Sequence, residues 1–205
     1  MTTSSALPVS IRGPVDHDVR SQIVVAAREH FSRYGYDKTT VSDLAKAIGF
    51  SKAYVYKFYP SKQVIGEIIC ANCLVEIEAE IRAAVAQAES PPEQLRQFFK
   101  TSLTATLRLM SEDSKLYEIA VSAANEGWST ALAYEQRIRQ LLTDILEAGR
   151  QRGDFERKTP LDETANAVFL AVRPYMHPVM LRYSLEWTNS APPLLASLVL
   201  RSLSP

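Results

Sequence analysis

The sequence predicts an all-α protein of roughly nine helices. Apolar residues recur at spacings of three and four along nearly the whole 205-residue chain, which is the period of an amphipathic helix. Serine, threonine, glycine and proline stand between the periodic segments, where helices begin and end. No segment has the strict alternation of apolar and polar residues that is typical of a half-buried strand, and the sequence contains no internal repeat.

The first third of the chain predicts an arm, a first helix and then two short helices. Residues 1–15 are rich in Ser, Thr and Pro, a composition typical of disordered segments. Glycines end the first two helices. Thr40 or Thr39 is suited to cap the second helix, and Ser51 is suited to cap the third. The predicted bounds of these helices are about 16–35, 40–49 and 51–59.

The remaining two thirds predict six more helices. A long helix begins after Ser61 and reaches about Glu89, because Pro60 forbids a simple continuation of the helix before it. Pro174 and Pro178 must kink or break the segment that contains them. The later helices are predicted at about 93–110, 115–124, 127–149, 160–183 and 193–203.

The charges are unevenly distributed although the net charge is zero. Residues 11–62 contain nine Lys and Arg against five Asp and Glu, and the rest of the chain is correspondingly acidic. A basic end on an acidic body is typical of a protein whose one end contacts phosphate. The N-terminus lacks a basic leader followed by an apolar core, and no apolar run approaches the roughly 18 residues of a membrane span. We therefore expect a cytoplasmic protein with no membrane partner.

The reactive residue types do not form a recognisable catalytic or metal site. Cys70 and Cys73 are three residues apart in a helical pattern, a spacing that does not easily close a disulfide, and no His cluster accompanies them. We expect buried structural thiols, with a redox or metal site as the alternative. Because no nucleophile–base arrangement, paired carboxylates or Gly-rich phosphate loop is found, we expect no metal, no cofactor and no enzyme activity.

Residues 39–62 have the pattern of a helix-turn-helix, whose second helix enters the DNA major groove. Apolar residues can pin the two helices on either side of Gly49: Leu44, Ala45, Ile48, Val55 and Phe58. Small or polar residues are left facing outward: Ser51, Lys52, Ala53, Tyr54 and Lys57. The alternative is a helical hairpin with a solvated outer face. Tyrosine hydroxyls at positions 54, 56 and 59, and Lys62 at the start of the next helix, favour contact with phosphate.

These residues also carry a family resemblance. The run from Ile23 to Ile69 closely resembles the N-terminal domain of TetR-type transcriptional regulators, and it covers about a quarter of the chain. The matching residues, in order and at the family's spacings, are Ile23, Ala26, Ala27, Phe31, Gly35, Tyr36, Thr39, Thr40, Val41, Leu44, Ala45, Gly49, Phe50, Ser51, Lys52, Val55, Tyr56, Tyr59, Ser61 and Lys62. The rest of the chain agrees with the family in length and in being helical.

The resemblance implies a role for individual residues of this stretch. It implies that Thr40, Tyr56 and Lys62 grip phosphates and that residues 52–54 reach base edges. Tyr54 departs from the family, which often has Thr or Ser at this position, so Tyr54 either contacts a thymine methyl or lies against the DNA backbone. Lys57 is either a phosphate contact or a solvated lysine. The full set expected at DNA is Thr39, Thr40, Ser51, Lys52, Ala53, Tyr54, Tyr56, Lys57 and Lys62.

The C-terminal body is rich in aromatic and Met residues, which form either a plain core or, as the resemblance implies, partly an effector cavity. The residues expected to line such a cavity are Phe99, Met110, Tyr117, Trp128 and Tyr175. The last two helices are too apolar to face water, so they either pack within the chain or, as the resemblance implies, form a homodimer through a four-helix bundle.

Taken together, the sequence predicts a three-helix DNA-binding head at 16–62 and an effector-binding and dimerisation body at 63–205. We expect a regulator of transcription, a repressor released from a palindromic DNA operator by an unidentified small apolar or amphipathic effector. Two alternatives stay open: a small-molecule-binding helical protein that does not bind an operator, and a transcriptional activator with the same head.

Overall fold

A computed structural model describes residues 16–205, and the predicted arm at 1–15 lies outside these residues. Within the described range the chain forms ten α-helices and two short 3₁₀ helices and no strand, which confirms the all-α prediction. The α-helices are α1 (Asp16–Tyr34), α2 (Val41–Ala47), α3 (Lys52–Phe58), α4 (Lys62–Ala86), α5 (Pro91–Glu112), α6 (Ser114–Glu126), α7 (Ser129–Arg152), α8 (Leu161–Val172), α9 (Pro178–Leu181) and α10 (Ala191–Ser202).

The capping residues set the bounds of the first helices. Thr40 and Asp43 form a reciprocal capping box, in which the Asp43 amide donates to Thr40 Oγ1 at 3.2 Å and the Thr40 amide donates to Asp43 Oδ2 at 2.9 Å. Ser51 Oγ accepts from the Tyr54 amide at 3.1 Å and starts α3. Gly49 has a φ of 71°, which few other residues adopt cheaply, and this conformation makes the turn between α2 and α3.

Two apolar clusters divide the molecule, and α4 belongs to both. The first, here called the head cluster, joins α1–α3 to the beginning of α4, to α6 and to Trp128. The second joins the later part of α4 to α5, α7, α8 and α10. The packing of the head therefore continues past residue 62, because Ile65, Ile69 and Cys70 of α4 are part of its core. The division at residue 62 stays a prediction.

The prolines of the C-terminal part act as the sequence predicts. Helix α8 ends at Val172, and Pro174 lies in a 3₁₀ helix at Arg173–Tyr175. Pro178 then opens the short helix α9 at a position that needs no amide donor. The predicted helix at 160–183 is thus broken rather than merely bent. Among residues 16–205, no helix is long and apolar enough to cross a membrane.

Candidate DNA-binding surface and ligand cavity

Helix α3 is anchored on one side and open on the other. Val55 is fully buried and Phe58 is 6% exposed, and both belong to the same apolar cluster as the buried Leu44 and Ala45 of α2. The other face is exposed over Ser51, Lys52, Ala53, Tyr54, Tyr56 and Lys57. A short helix held by its apolar residues and presenting small and cationic ones has the composition of a recognition helix.

Aromatic neighbours hold the side chain of Tyr54 in place. Its ring meets Phe50 edge-on at 5.0 Å and Phe58 edge-on at 5.2 Å, measured between ring centroids, and 36% of the residue remains exposed. Tyr56 is more open, and Lys52 Nζ lies 5.7 Å from its ring centroid. Tyr54 therefore extends the surface of α3 as a supported ring rather than as a freely rotating side chain.

The structure corrects the prediction for Thr39. This residue is 1% exposed, its hydroxyl donates to the Gly35 carbonyl at 2.7 Å, and it lies 3.2 Å from His30 Nδ1. Thr39 thus fixes the corner between α1 and α2 and does not present its hydroxyl at the surface. Thr40, its neighbour, is exposed and caps α2.

Lys62 and Tyr59 are also engaged inside the head. Lys62 Nζ donates to the Tyr36 carbonyl at 2.9 Å and lies 4.3 Å from the centroid of the Tyr36 ring. Tyr59 is 5% exposed and its hydroxyl donates to the Arg20 carbonyl at 3.2 Å. The Lys62 ammonium therefore connects α4 to the loop after α1, and the Tyr59 hydroxyl is not free to reach phosphate. These intramolecular contacts depend on which segments meet in space, and the local sequence pattern did not show them.

Sequence reasoning missed Arg20, which ties α1 to the end of α3. Arg20 Nη1 donates to the Phe58 carbonyl at 3.0 Å, and the guanidinium carbon lies 5.6 Å from the ring centroids of both Phe58 and Tyr59. An arginine that covers the last carbonyls of α3 stabilises the helix end and fixes the angle of α3 on α1.

A cavity of about 120 Å³ lies in the body, between α4, α5, α6, α7 and the segment from α8 to α9. Its wall is mainly apolar: Cys70, Leu74, Ile77, Thr106, Leu109, Tyr117, Ala120, Ala123, Ala124, Gly127, Ala131, Leu132, Tyr134, Ile138, Phe169, Met176 and Pro178. Two charged side chains and an imidazole complete the lining, namely those of Glu135, Arg173 and His177. An apolar enclosure with a few polar groups is the usual composition of a small-molecule site.

Of the five predicted cavity residues, Tyr117 alone lines this space. Its hydroxyl donates to the Pro178 carbonyl at 2.7 Å and joins α6 to α9. Phe99 is buried in the second cluster, and Trp128 packs in the head cluster. Met110 borders a shallow surface pocket with Arg108, and Tyr175 is half-buried outside the cavity lining. The structure does not bring these four residues to the wall of this cavity, because aromatic content marks buried positions but does not distinguish a filled core from a cavity wall.

Cys70 and Cys73 are both buried and form no disulfide, as expected for structural thiols. Burial raises the pKa of Cys70 to about 12, and burial also raises the pKa of Cys73. Both therefore remain protonated thiols near neutral pH and are poor nucleophiles. Among the described residues no three His, Cys, Asp or Glu side chains cluster in a way that could hold a metal ion.

Helices α4 and α6 connect the cavity to the head. The Ser32 hydroxyl of α1 donates to Asp113 Oδ2, at the start of α6, at 2.6 Å. Tyr36 meets Trp128 edge-on at 5.7 Å. Gly66 of α4 lies so close to the Tyr36 ring that a methyl group on its Cα would stand 2.8 Å from Tyr36 Cε2. The head thus rests directly on the two helices that also wall the cavity.

Two family models together match most of the chain. Residues 23–65 match the model described as bacterial regulatory proteins, tetR family. Residues 91–192 match the model described as tetracyclin repressor-like, C-terminal domain. The chain belongs to the TetR family. It is a DNA-binding transcriptional regulator.

Individual relatives are transcriptional repressors, which agrees with this assignment. The chain is 26% identical over 138 residues to the HTH-type transcriptional repressor KstR2 of Rhodococcus jostii (strain RHA1), a match that covers 66% of this chain and 67% of the relative. It is 37% identical over 70 residues to the HTH-type transcriptional repressor Rv1474c of Mycobacterium tuberculosis (strain ATCC 25618 / H37Rv). That match covers 34% of this chain and 35% of the relative, so the chain aligns with about a third of that protein.

Two solved structures of regulators show the same fold. The fatty acid degradation regulator FadR from Bacillus halodurans has a TM-score of 0.65 and 20% identity, and the match covers 92% of this chain and 96% of that one. The FadR repressor of Thermus thermophilus, solved in complex with lauroyl-CoA, has a TM-score of 0.55 and 23% identity, with 89% and 90% of the two chains covered.

Proposed function

We propose that the protein is a homodimeric repressor that binds a palindromic operator through α3 and leaves it when a small apolar or amphipathic effector fills the cavity. The observation that carries this proposal is that α4 and α6 both wall the cavity and support the head. A ligand that displaces either helix changes the position of α3. The ligand named for the Thermus thermophilus FadR structure is consistent with an effector that has an apolar part.

In this proposal the exposed face of α3 contacts DNA. Residues 52–54 lie where base edges would be read, and Tyr56 and Lys57 flank them as contacts to phosphate. The exposed Thr40 and Ser51 lie at the N-termini of α2 and α3, where backbone amides and the helix dipole favour phosphate. Lys62 has a different part in the proposal, which is to hold the head on α4.

The proposed dimer interface is the outer face of α8 and α10. Leu170 on α8 is 65% exposed, and Leu194 and Leu198 on α10 are 63% and 58% exposed. Leu194 and Leu198 are four residues apart and share one side of their helix. Because three leucines on two adjacent helices are costly to leave in water, a second copy of the chain is the fitting partner. Two copies place two α3 helices on two half-sites, which increases specificity.

The proposed switch is a shift between two positions of the heads. In one position the two heads are spaced to fit the operator, and in the other they are not. An effector that binds more tightly to the protein in the second position weakens operator binding. The operator then weakens effector binding by the same factor. We further propose that the head at 16–62 and the body at 63–205 serve these two functions, and that the protein acts in the cytoplasm and carries out no enzymatic reaction.

The test measures operator affinity by fluorescence anisotropy with and without compounds found to raise the thermal midpoint of the protein. We expect a compound that fills the cavity to weaken operator binding by about 5- to 150-fold, the usual range of allosteric coupling. The variant Ala123→Phe places a side chain in the cavity without any ligand, because Ala123 is fully buried and lines the cavity. It serves as the ligand-free counterpart of a bound compound in this measurement. If compounds that bind in the cavity leave operator affinity unchanged, the proposed switch is wrong. If they instead tighten operator binding, and a reporter gene behind the operator is then transcribed more, the protein is an activator.

A further inference from the structure

Asp113 is hydrogen-bonded both to the cavity wall and to the head. Its amide donates to the Leu109 carbonyl at 3.1 Å, and its carbonyl accepts from the Tyr117 amide at 2.9 Å. Leu109 on α5 and Tyr117 on α6 both line the cavity. The Asp113 carboxylate accepts from the Ser32 hydroxyl of α1 at 2.6 Å. A single residue at the corner between α5 and α6 therefore joins two residues of the cavity wall to the first helix of the head.

The carboxylate of Asp113 is fixed to α6. Its Oδ1 accepts from the Leu116 amide at 2.9 Å and caps the helix, while its Oδ2 accepts from Ser32. Because the two oxygens belong to one rigid group, a displacement of the first turn of α6 also displaces the acceptor of the Ser32 hydroxyl.

The contact between Ser32 and Asp113 is the stronger of two polar contacts that α1 makes with the body. Among residues 16–205, α1 makes one other polar side-chain contact with residues 63–205, the ion pair between Arg28 Nη1 and Glu76 Oε1 at 3.8 Å. These two side chains are 43% and 65% exposed, and exposed ion pairs contribute little. A hydrogen bond to a charged group changes an equilibrium by a factor of about 10 to 150. Allosteric coupling usually lies at about 5- to 150-fold, so this one bond is strong enough to carry it.

Apolar contacts between α6 and the head add affinity but little direction. Leu116 and Ile119 of α6 belong to the head cluster. The attraction between apolar surfaces is non-directional, whereas a hydrogen bond weakens steeply when its angle changes. The bond from Ser32 to Asp113 therefore determines how α1 follows a movement of α6.

Helix α1 is connected in turn to the end of α3. Arg20 Nη1 donates to the Phe58 carbonyl at 3.0 Å, and the Tyr59 hydroxyl donates to the Arg20 carbonyl at 3.2 Å. A displacement of α1 at Ser32 therefore reaches the helix that presents the proposed DNA contacts.

We propose that Asp113 is the positioning residue through which an occupied cavity displaces the head, with the Ser32 hydroxyl as its contact on α1. This inference rests on the proposed function, in that it assigns the switch of the same cavity to one hydrogen bond. A ligand that displaces Leu109 or Tyr117 moves Asp113, and α1 then carries α3 with it.

A double-mutant cycle on the full chain tests the inference without any ligand. Ala120→Phe fills the cavity from α6, because Ala120 lines the cavity and is not a member of the head cluster. Ser32→Ala removes the hydroxyl donor to Asp113. Fluorescence anisotropy measures the affinity of the native chain, both single variants and the double variant for the DNA sequence that the native chain selects from random duplexes.

The expected result is a loss of coupling in the Ser32→Ala background. Ala120→Phe should weaken DNA binding by at least about fivefold when Ser32 is present. In the Ser32→Ala background the same change should weaken binding by less than about twofold. Because the readout compares two ratios, any effect that Ser32→Ala has alone on DNA affinity cancels. An equal loss in both backgrounds would overturn the inference.

Two further variants separate transmission from a merely structural role. Ser111→Ala is the matched control, because the Ser111 hydroxyl is exposed and donates to the Arg108 carbonyl of the same helix at 3.1 Å. Ser32→Thr keeps a hydroxyl on α1. Both should retain the full effect of Ala120→Phe. If Ser32→Ala lowers the thermal midpoint of the protein and leaves the effect of Ala120→Phe unchanged, Ser32 and Asp113 only stabilise the fold and the inference is wrong.

The outcomes distinguish this inference from the proposed function. If thermal unfolding shows that Ala120→Phe is not folded, the smaller Ala120→Leu takes its place in the cycle. A folded cavity-filling variant that binds DNA as tightly as the native chain contradicts the proposed switch and, with it, this inference. A variant that weakens DNA binding equally with and without the Ser32 hydroxyl supports the switch and removes Asp113 from it.

Discussion

Lys62 and Lys57 are two lysines of the head with different surroundings. The Lys62 ammonium donates to the Tyr36 carbonyl and lies over the Tyr36 ring, whereas Lys57 is exposed on α3. We therefore expect Lys62→Ala to lower the free energy of unfolding by about 1–2 kcal/mol, the sum of a charged hydrogen bond and a cation–π contact. Lys57→Ala should change stability by less than about 0.5 kcal/mol.

DNA binding should separate the same two variants. Lys57→Ala should flatten the slope of log affinity against log salt concentration by about 0.9 for each phosphate that the protein no longer neutralises. Lys62→Ala should leave this slope near the native value once the protein is folded. Urea unfolding and anisotropy titrations at several salt concentrations provide the two measurements. A Lys62→Ala protein of native stability with a flattened salt dependence would return Lys62 to the set of phosphate contacts.

The capping box of α2 gives a prediction that depends on pH. Hydrogen bonds from the Thr40 side chain and amide lower the pKa of Asp43. A carboxyl with a lowered folded-state pKa contributes stability above its unfolded value of about 3.9, and this contribution is lost as the pH falls through the folded-state pKa. Thr40→Ala should cost about 1 kcal/mol at pH 7, and the cost should shrink in acid. Urea unfolding at pH 7 and pH 3 measures it, and an undiminished cost at pH 3 would contradict the account.

At the scale of helices, Gly66 lets α4 approach the head. A methyl group at this position would stand 2.8 Å from Tyr36 Cε2 and 3.2 Å from Trp128 Cη2, and both rings are buried. We expect Gly66→Ala to destabilise the protein by about 1–3 kcal/mol through overpacking. Gln63→Ala, at an exposed position of the same helix, is the control and should stay within about 0.5 kcal/mol. A Gly66→Ala protein as stable as native, measured by thermal unfolding, would show that this contact can relax freely.

Local chemistry explains which helices the sequence could predict. Ser51 and Ser61 each cap the helix that the sequence assigned to them, because a cap depends on residues within one turn. Thr40, one of the two candidates for α2, caps that helix. The break around Pro174 and Pro178 followed from the missing amide donors. The burial of Thr39 could not be foreseen, since it depends on His30 and on the Gly35 carbonyl meeting at a corner. The cavity wall could not be predicted either, because it is assembled from α4, α5, α6, α7 and the segment around α9.

At the scale of the whole molecule, the exposed leucines of α8 and α10 predict a dimer. We expect the double variant Leu194→Glu and Leu198→Glu to be monomeric at concentrations where the native chain is dimeric, because it would bury charges in the interface. Light scattering coupled to size-exclusion chromatography measures the mass. Val75→Glu is the control, since Val75 is also 57% exposed but lies on α4. A native chain that elutes as a monomer at micromolar concentration would contradict the proposed interface.

Selection of bound fragments from random duplex DNA tests the central claim, sequence-specific DNA binding by paired α3 helices, most directly. The native protein should enrich a two-fold symmetric sequence whose half-sites are spaced by about one helical turn or a multiple of it. A parallel selection with Tyr54→Ala should enrich a sequence that differs at one base position in each half-site, because Tyr54 lies on the exposed face of α3. The account would be contradicted if the native protein enriched no sequence. It would also be contradicted if both proteins enriched one and the same sequence without two-fold symmetry.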